Sequence, residues 1–239
     1  MKILVACEES QRVCQAFRDR GHEAYSCDII EPSGNHPEWH ILGDVRNILN
    51  PTEYVSCDGL EQYSGISFET MDKKYHWING LWDMIIGHPP CTYLSNAGAC
   101  RLYPKKGQLN KERYEKGLKA KELFMDIYNA DCDKICIENP IPSKVFNMPP
   151  YTQIIQPYEY GEPYSKKTCL WLKGLPKLQP TNVLKDFKPY VSCGTSHNKG
   201  NPDKAGVSRA GGAAKIRSKT FPGIAKAFAA QWSDDIRKP

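Results

Sequence analysis

Two short segments of this 239-residue chain carry the side chains best suited to covalent chemistry. Cys91 follows two prolines and an apolar run, so its thiol is expected in a stiff loop just beyond a buried strand. Glu138 and Asn139 follow a second apolar run and precede a proline. A thiolate is a nucleophile, and a carboxyl group nearby can donate a proton or a hydrogen bond to a ring nitrogen. Taken alone, each segment is more often structural, as a small buried thiol or an acid that caps a turn.

Two further acids, Asp28 and Asp44, follow short strand-like runs nearer the start of the chain. An acid at the end of a second strand can accept hydrogen bonds from ribose hydroxyls. Asp44 could accept one from the exocyclic amino group of a purine. The first loop, residues 6–11, reads Ala-Cys-Glu-Glu-Ser-Gln and lacks the glycine-rich pattern of dinucleotide binding. Its two acids would also repel phosphate, so a dinucleotide is disfavoured, whereas a cofactor with a positive centre and no phosphate would be tolerated.

Alternating apolar patterns predict the elements that must position these residues. Strands are predicted at residues 3–6, 23–27, 39–42, 82–86, 134–137 and 168–172. Helices are predicted at residues 11–20 and 111–128, the second with Leu118, Leu123, Phe124 and Ile127 on one side. This alternation predicts an α/β fold, with a mostly parallel central sheet and helices on both faces. Ligands of such sheets bind beyond the carboxyl ends of the strands, where all the polar residues named above are expected.

The rest of the chain is organised around two segments that do not fit this alternation. Residues 50–79 form an insertion-like segment, and residues 176–216 form a short, basic, loop-rich one. A single domain is predicted over residues 1–239. Residues 185–239 carry eleven Lys and Arg against four Asp and Glu, which favours an anionic partner there. A solvated basic surface is the alternative.

Composition and motif spacing exclude several classes of protein. An apolar content of 40% and an aromatic content of 10% support a packed core and exclude general disorder. No apolar run is long enough to span a membrane, and Met1 leads into a strand without a signal-peptide pattern. The ten cysteines are therefore expected as reduced thiols in the cytoplasm. The Cys132/Cys136 and His36/His40 pairs lack the partners of a metal site, so no metal is expected.

The order of these features resembles the DNA (cytosine-5)-methyltransferase family, in a compact phage or prophage form. The match covers a Pro-Cys loop at Cys91, a Glu-Asn motif at Glu138, a basic strand motif at Lys167 and a C-terminal helix within residues 217–232. The resemblance implies a Rossmann-like fold that binds S-adenosylmethionine (SAM) and releases S-adenosylhomocysteine. It also implies a location in the cytoplasm, or in the host cytoplasm for a phage-encoded protein.

The resemblance further implies a set of site residues. The catalytic residues would be Cys91, Glu138, Asn139 and Lys167. The cofactor would be bound by Ala6, Cys7, Glu8, Ser10, Asp28, Ile29, Asp44, Val45, His88 and Pro90. Nucleic-acid phosphates would be bound by Arg209, Lys215, Arg217 and Lys219.

The implied reaction is methylation of C5 of cytosine in DNA. Cys91 would add to C6 of the base, and Glu138 would hydrogen-bond or protonate N3. In a duplex, the base would first have to leave the stack.

The sequence departs from the family pattern in three places, and two of them motivate alternatives. The first loop has acids instead of glycines, the basic motif is Lys-Lys instead of arginine-rich, and residues 176–216 stand where a larger target-recognition domain is usual. The short segment motivates the same chemistry on a free cytidine nucleotide or on RNA. The acidic first loop motivates a non-catalytic nucleic-acid-binding relative of the family.

Overall fold

The structure, a computed structural model, describes residues 1–56, 61–105, 107–190 and 218–234 of the chain. Its strands are β1 (Lys2–Ala6), β2 (Glu23–Asp28), β3 (His40–Leu42), β4 (Thr52–Val55), β5 (Gln62–Glu69), β6 (Tyr75–Asn79), β7 (Met84–Gly87), β8 (Ile135–Pro140), β9 (Gln153–Ile155), β10 (Tyr164–Ser165), β11 (Thr168–Lys173) and β12 (Lys188–Pro189). Its helices are α1 (Arg12–Arg18), α2 (Ala99–Leu102), α3 (Lys111–Tyr128) and α4 (Pro222–Trp232). None of the helices in these ranges is long and apolar enough to cross a bilayer.

Seven strands form the central sheet, in the order β3-β2-β1-β7-β8-β11-β9. The pairs from β3 to β8 are all parallel, and β11 runs antiparallel to both of its neighbours. The predicted α/β class with a mostly parallel sheet is therefore confirmed, and the fold is Rossmann-like. The strand order reverses between β1 and β7, and ligands of open sheets bind at such a point, beyond the carboxyl ends of the strands.

Helices cover both faces of this sheet, as predicted. Side chains alternate along β1, so Val5 joins one buried cluster and Leu4 joins the other. The first cluster contains Phe17 of α1 and Phe228 of α4. The second contains Phe124 of α3. The two clusters fix the sheet from both sides, which holds the strand ends in a defined order.

The insertion-like residues 50–79 contain a second, smaller sheet. Strands β4, β5 and β6 pair antiparallel in chain order. Ile66 and Phe68 of β5 and Ile78 of β6 are buried in the same cluster as Leu4 and Phe124. This small sheet therefore packs on the main sheet on the side of α3.

The predicted basic segment, residues 176–216, is described only in part. Within residues 176–190, strand β12 pairs parallel with β10. Residues 191–216 lie outside the described residues. The C-terminal helix implied by the family resemblance is present at Pro222–Trp232.

Helix α3 has the predicted bounds, but its buried side differs by one position. Leu118 is exposed, whereas Gly117 is buried against the ring of Phe146. A methyl group at Gly117 would overlap that ring, so Gly117→Ala is expected to lower the free energy of unfolding by about 1–3 kcal/mol. Urea denaturation measures this. Gly43→Ala is the control, because a methyl group there meets no atom, and equal stability of the two variants would contradict the prediction.

Candidate active site

The loops that follow β7 and β8 are hydrogen-bonded to each other at the carboxyl edge of the sheet. The side-chain amide of Asn139 donates to the backbone oxygen of Pro89, at 3.0 Å. The backbone N–H of Asn96 donates to the oxygen of Ile141, at 2.8 Å. Half-buried Cys91 lies in the first of these loops, two residues beyond Pro89. The side chain of Asn139 therefore holds the cysteine loop against β8.

Glu138 lies at the end of β8, with only 10% of its side chain exposed. Its Oε2 accepts hydrogen bonds from Nδ1 of His88, at 3.0 Å, and from the hydroxyl of Thr220, at 3.1 Å. Burial alone would raise the pKa of Glu138, but the bond from His88, the charge of Lys166 and the bond from Thr220 outweigh it and lower that pKa to about 2. Glu138 is therefore a carboxylate at neutral pH.

His88 follows β7 directly and is as buried as Glu138, with 9% of its side chain exposed. Burial alone would lower the pKa of His88. The hydrogen bond to Glu138, the charge of Glu138 and the charge of Glu8 outweigh burial and raise that pKa above its ordinary value. Nε2 of His88 is buried and makes no hydrogen bond to any residue that the structure describes.

The side chain of Glu8 caps the amino-terminal end of α1. Its carboxylate accepts hydrogen bonds from the backbone N–H groups of Val13, at 2.7 Å, and Cys14, at 3.1 Å, and the hydroxyl of Ser10 donates to it at 3.3 Å. Burial raises the pKa of Glu8. In dinucleotide-binding folds these helix amides receive a phosphate. Here a carboxylate occupies them, which agrees with the sequence argument against a phosphate at this loop.

A second group of residues lies where β1, β2 and β3 end. Cys7, with a left-handed backbone (φ 59°), lies close enough to Asp28 and Asp44 to be affected by both charges. Burial and these two acids raise the pKa of Cys7 to about 12, so it stays a thiol. Asp44 accepts a hydrogen bond from the backbone N–H of Arg46 at 3.0 Å, and Ile29 beside Asp28 is 76% exposed. The structure thus brings the predicted cofactor acids together, next to an exposed apolar side chain.

This set of groups fits the cofactor implied by the sequence. Carboxylates accept hydrogen bonds from hydroxyl and amino groups, and the exposed Ile29 side chain offers an apolar surface to a purine ring. The acids also favour a positively charged sulfur. Among the other predicted cofactor residues, Ala6 and Val45 are buried in the core, and Pro90 is exposed.

The two lysines of the basic strand motif differ in their surroundings. Lys167 is exposed, whereas the charge of half-buried Lys166 lowers the pKa of Glu138. Both lysines lie between β10, which ends at Ser165, and β11, which begins at Thr168. Thr220 also belongs to the site, and no local pattern in the sequence indicated it.

The predicted nucleic-acid residues are described only at Lys219. Its ammonium lies 2.6 Å from the hydroxyl of Ser33 and 3.7 Å from Oε1 of Glu9, so it makes contacts within the chain. Arg209, Lys215 and Arg217 lie outside the described residues. Across the described ranges, no cluster of three His, Cys, Asp or Glu side chains could hold a metal ion.

Comparison with solved structures finds similar chains. No protein-family model matches the chain, and no curated protein matches its sequence. The structure of the Entamoeba histolytica methyltransferase EhMeth is similar at 13% sequence identity with a TM-score of 0.40, over 84% of this chain and 63% of that one. The chain thus spans less than two thirds of that protein. A similarity of this size does not indicate an activity.

Proposed function

We propose that this protein is a SAM-dependent methyltransferase that methylates C5 of cytosine in DNA. The proposal depends most on the hydrogen bonds that join the loop of Cys91 to strand β8, which carries Glu138, and to the loop after that strand. A half-buried thiol and a buried, ionised carboxylate are thereby held at one edge of the sheet. The acids Asp28 and Asp44 lie at the same edge and suit a nucleoside cofactor.

The reaction needs both groups, because C5 of cytosine is a weak nucleophile. Addition of the Cys91 thiolate to C6 breaks the aromaticity of the ring and gives C5 the reactivity of an enamine. SAM, when bound, would supply a methyl group on a positively charged sulfur. Loss of the C5 proton to solvent then re-forms the C5–C6 double bond and expels Cys91 as a thiolate.

Glu138 would bind the edge of the base that carries N3 and the exocyclic amino group. The hydrogen bonds that Glu138 accepts from His88 and Thr220 are both made to Oε2. Its other oxygen, Oε1, makes no hydrogen bond within the part of the chain that the structure describes. A carboxylate oxygen accepts from the amino group of cytosine and repels the carbonyl oxygen of thymine or uracil at that position. Glu138 would therefore favour cytosine among the pyrimidines.

Asp28 would accept hydrogen bonds from the ribose hydroxyls of the cofactor. Asp28→Ala is therefore expected to weaken SAM binding by about 10-fold, the value of one hydrogen bond to a charged group. Isothermal titration calorimetry measures this affinity. The matched control is Asp131→Ala, because Asp131 is an exposed acid before β8, at the opposite edge of the sheet. Equal affinities of the wild-type and Asp28→Ala proteins would remove the ribose assignment.

The function itself is tested with methyl-tritiated SAM and three substrates in parallel: duplex DNA, RNA and dCMP. Label in DNA that depends on Cys91 is expected. Label in dCMP or RNA alone would show that the same chemistry acts on a free cytidine nucleotide or on RNA. Absence of label together with absence of SAM binding would favour a non-catalytic nucleic-acid-binding protein.

A further inference from the structure

His88 lies between two buried carboxylates, one from the loop after β1 and one from strand β8. Its Nδ1 is 3.0 Å from Oε2 of Glu138, at the end of β8. Glu8, in the loop after β1, acts on it through its charge. Lys166, just before β11, opposes the two acids, and Thr220, just before α4, donates to the same oxygen of Glu138. Four elements of the fold thus converge on one imidazole ring.

We propose that His88 supplies the proton that N3 of the cytosine receives when Cys91 adds to C6, and that Glu138 passes this proton on. The inference rests on the function proposed above. It assigns to His88 the role of a positioning residue that acts through Glu138, instead of a contact to the cofactor.

The need for such a residue follows from the state of Glu138. With its pKa lowered to about 2, Glu138 has no proton of its own to give at neutral pH. His88 keeps its proton above the pH at which a free histidine loses it, and that proton lies on the hydrogen bond to Glu138. The side of Glu138 that would meet the base is Oε1. Glu138 therefore lies between the imidazolium of His88, which holds a proton, and N3 of the cytosine, which must receive one.

The proton balance of the step closes within this pair. As the sulfur–carbon bond forms at C6, the electron pair of the C5–C6 double bond moves into the ring towards N3. A proton passes from Nδ1 of His88 to Oε2 of Glu138, the carboxyl group turns about its Cγ–Cδ bond to present that O–H to the base, and N3 takes the proton. His88 is then a neutral imidazole and Glu138 is again a carboxylate. When Cys91 is expelled, N3 returns the proton along the same path.

The surroundings of His88 suit both of its states. Glu8 and Glu138 stabilise the charged imidazolium, whereas burial favours the neutral ring. The two carboxylates outweigh burial, so the imidazolium is favoured, and burial limits how strongly it is favoured.

The variant His88→Asn keeps a hydrogen-bond donor next to Glu138 but removes the proton that can be transferred. The amide nitrogen of asparagine can take the place of Nδ1 and donate to Glu138, but it cannot give up a proton to a carboxylate. His22→Asn is the matched control, because His22 is also buried but lies before β2, at the opposite edge of the sheet. Thermal unfolding and SAM binding report whether each variant keeps its fold.

The first measurement is exchange of the C5 hydrogen of cytosine in duplex DNA with solvent, followed by tritium release without a methyl donor. Wild-type exchange is expected to fall at alkaline pH as His88 loses its proton. His88→Asn should be slower by about 100-fold, the usual contribution of a general acid, and should lack this fall. His22→Asn should follow the wild type. Unchanged rate and pH profile in His88→Asn would overturn the role of His88 and leave the proposed methyl transfer intact.

The second measurement needs no substrate. Nuclear magnetic resonance of ¹⁵N-labelled histidine, with His88 assigned by its loss in His88→Asn, gives the pKa of this ring. A raised pKa that falls in Glu138→Gln is expected, and a value that Glu138→Gln leaves unchanged would overturn the inference. If the wild-type protein neither exchanges nor methylates any base, the proposed function fails and the inference fails with it.

Discussion

Replacement of Cys91 by alanine is expected to abolish methyl transfer, with a loss of roughly 10⁴-fold or more, as for the removal of other catalytic nucleophiles. Without the thiolate, C5 never gains enamine character. SAM binding should stay close to that of the wild type, because Cys91 lies in the loop after β7, whereas the cofactor acids follow β2 and β3. Transfer of tritiated methyl groups and calorimetry measure the two effects separately.

The control for Cys91→Ala is Cys132→Ala, at a buried thiol before β8 whose sulfur lies 3.2 Å from the backbone oxygen of Trp82. This variant should keep methyl transfer once its folded fraction is matched. DNA that contains 5-fluorocytosine gives an independent readout, because fluorine at C5 cannot leave as a proton does. The wild-type protein should form a covalent complex that survives detergent, and Cys91→Ala should form none. Near-normal turnover of Cys91→Ala would show that the covalent mechanism is wrong.

The second large effect is expected in the acid stability of the protein. The pKa of Glu138 is lowered from 4.5 to about 2, so its contribution to stability is present above the ordinary value and is lost as the pH falls through the folded value. The free energy of unfolding should fall by roughly 3 kcal/mol from this group between those two pH values, since one pKa unit is worth about 1.4 kcal/mol. Glu138→Gln should lack this loss. Urea denaturation at a series of acidic pH values measures the difference.

Glu53→Gln is the control, because Glu53 is exposed on β4 and its removal should leave the acid-dependent loss in place. Parallel pH profiles of the wild-type and Glu138→Gln proteins would contradict the lowered pKa.

The contribution of His88 to stability has the opposite dependence on pH. Its pKa is raised, so its contribution is present below its ordinary value of 6.5 and is lost as the pH rises through the folded value. The pair of Glu138 and His88 therefore stabilises the fold most between the ordinary pKa values of the two groups, 4.5 and 6.5.

Local sequence patterns predict the main elements well, because each one buries an apolar side. Helix Lys111–Tyr128 has its predicted bounds, and it begins after Asn110, whose side chain accepts the N–H of Arg113. Strand β8 extends three residues beyond its prediction, through Glu138 to Pro140, because β11 pairs along its whole length. The sequence predicts no elements within residues 50–79, although β5 alternates buried and exposed side chains in its second half.

The site is less predictable, because its key contacts join distant parts of the chain. Glu138 is 50 residues from His88 and 82 residues from Thr220 in sequence. The residue types at the strand ends indicated that a site lies there, but not which of them share hydrogen bonds. Lys166 and Lys167 are adjacent in sequence, and only the folded chain shows that Lys166 is half-buried and that its charge acts on Glu138. Glu8, predicted to bind the cofactor, has its carboxylate on the amides of α1 instead of open to a ligand.

The acids at the ends of β2 and β3 have a consequence for turnover. In the proposed reaction, the ligand that enters carries a positive sulfur, and the ligand that leaves carries a neutral one. Asp28 and Asp44 attract the first more strongly than the second, because the Coulomb attraction disappears with the charge. Methyl transfer would therefore lower the affinity of the site for its ligand, because S-adenosylhomocysteine carries no charge on sulfur. Inhibition by S-adenosylhomocysteine should consequently be mild, and added salt should narrow the gap between the two affinities by screening the charge of Asp44, which is exposed.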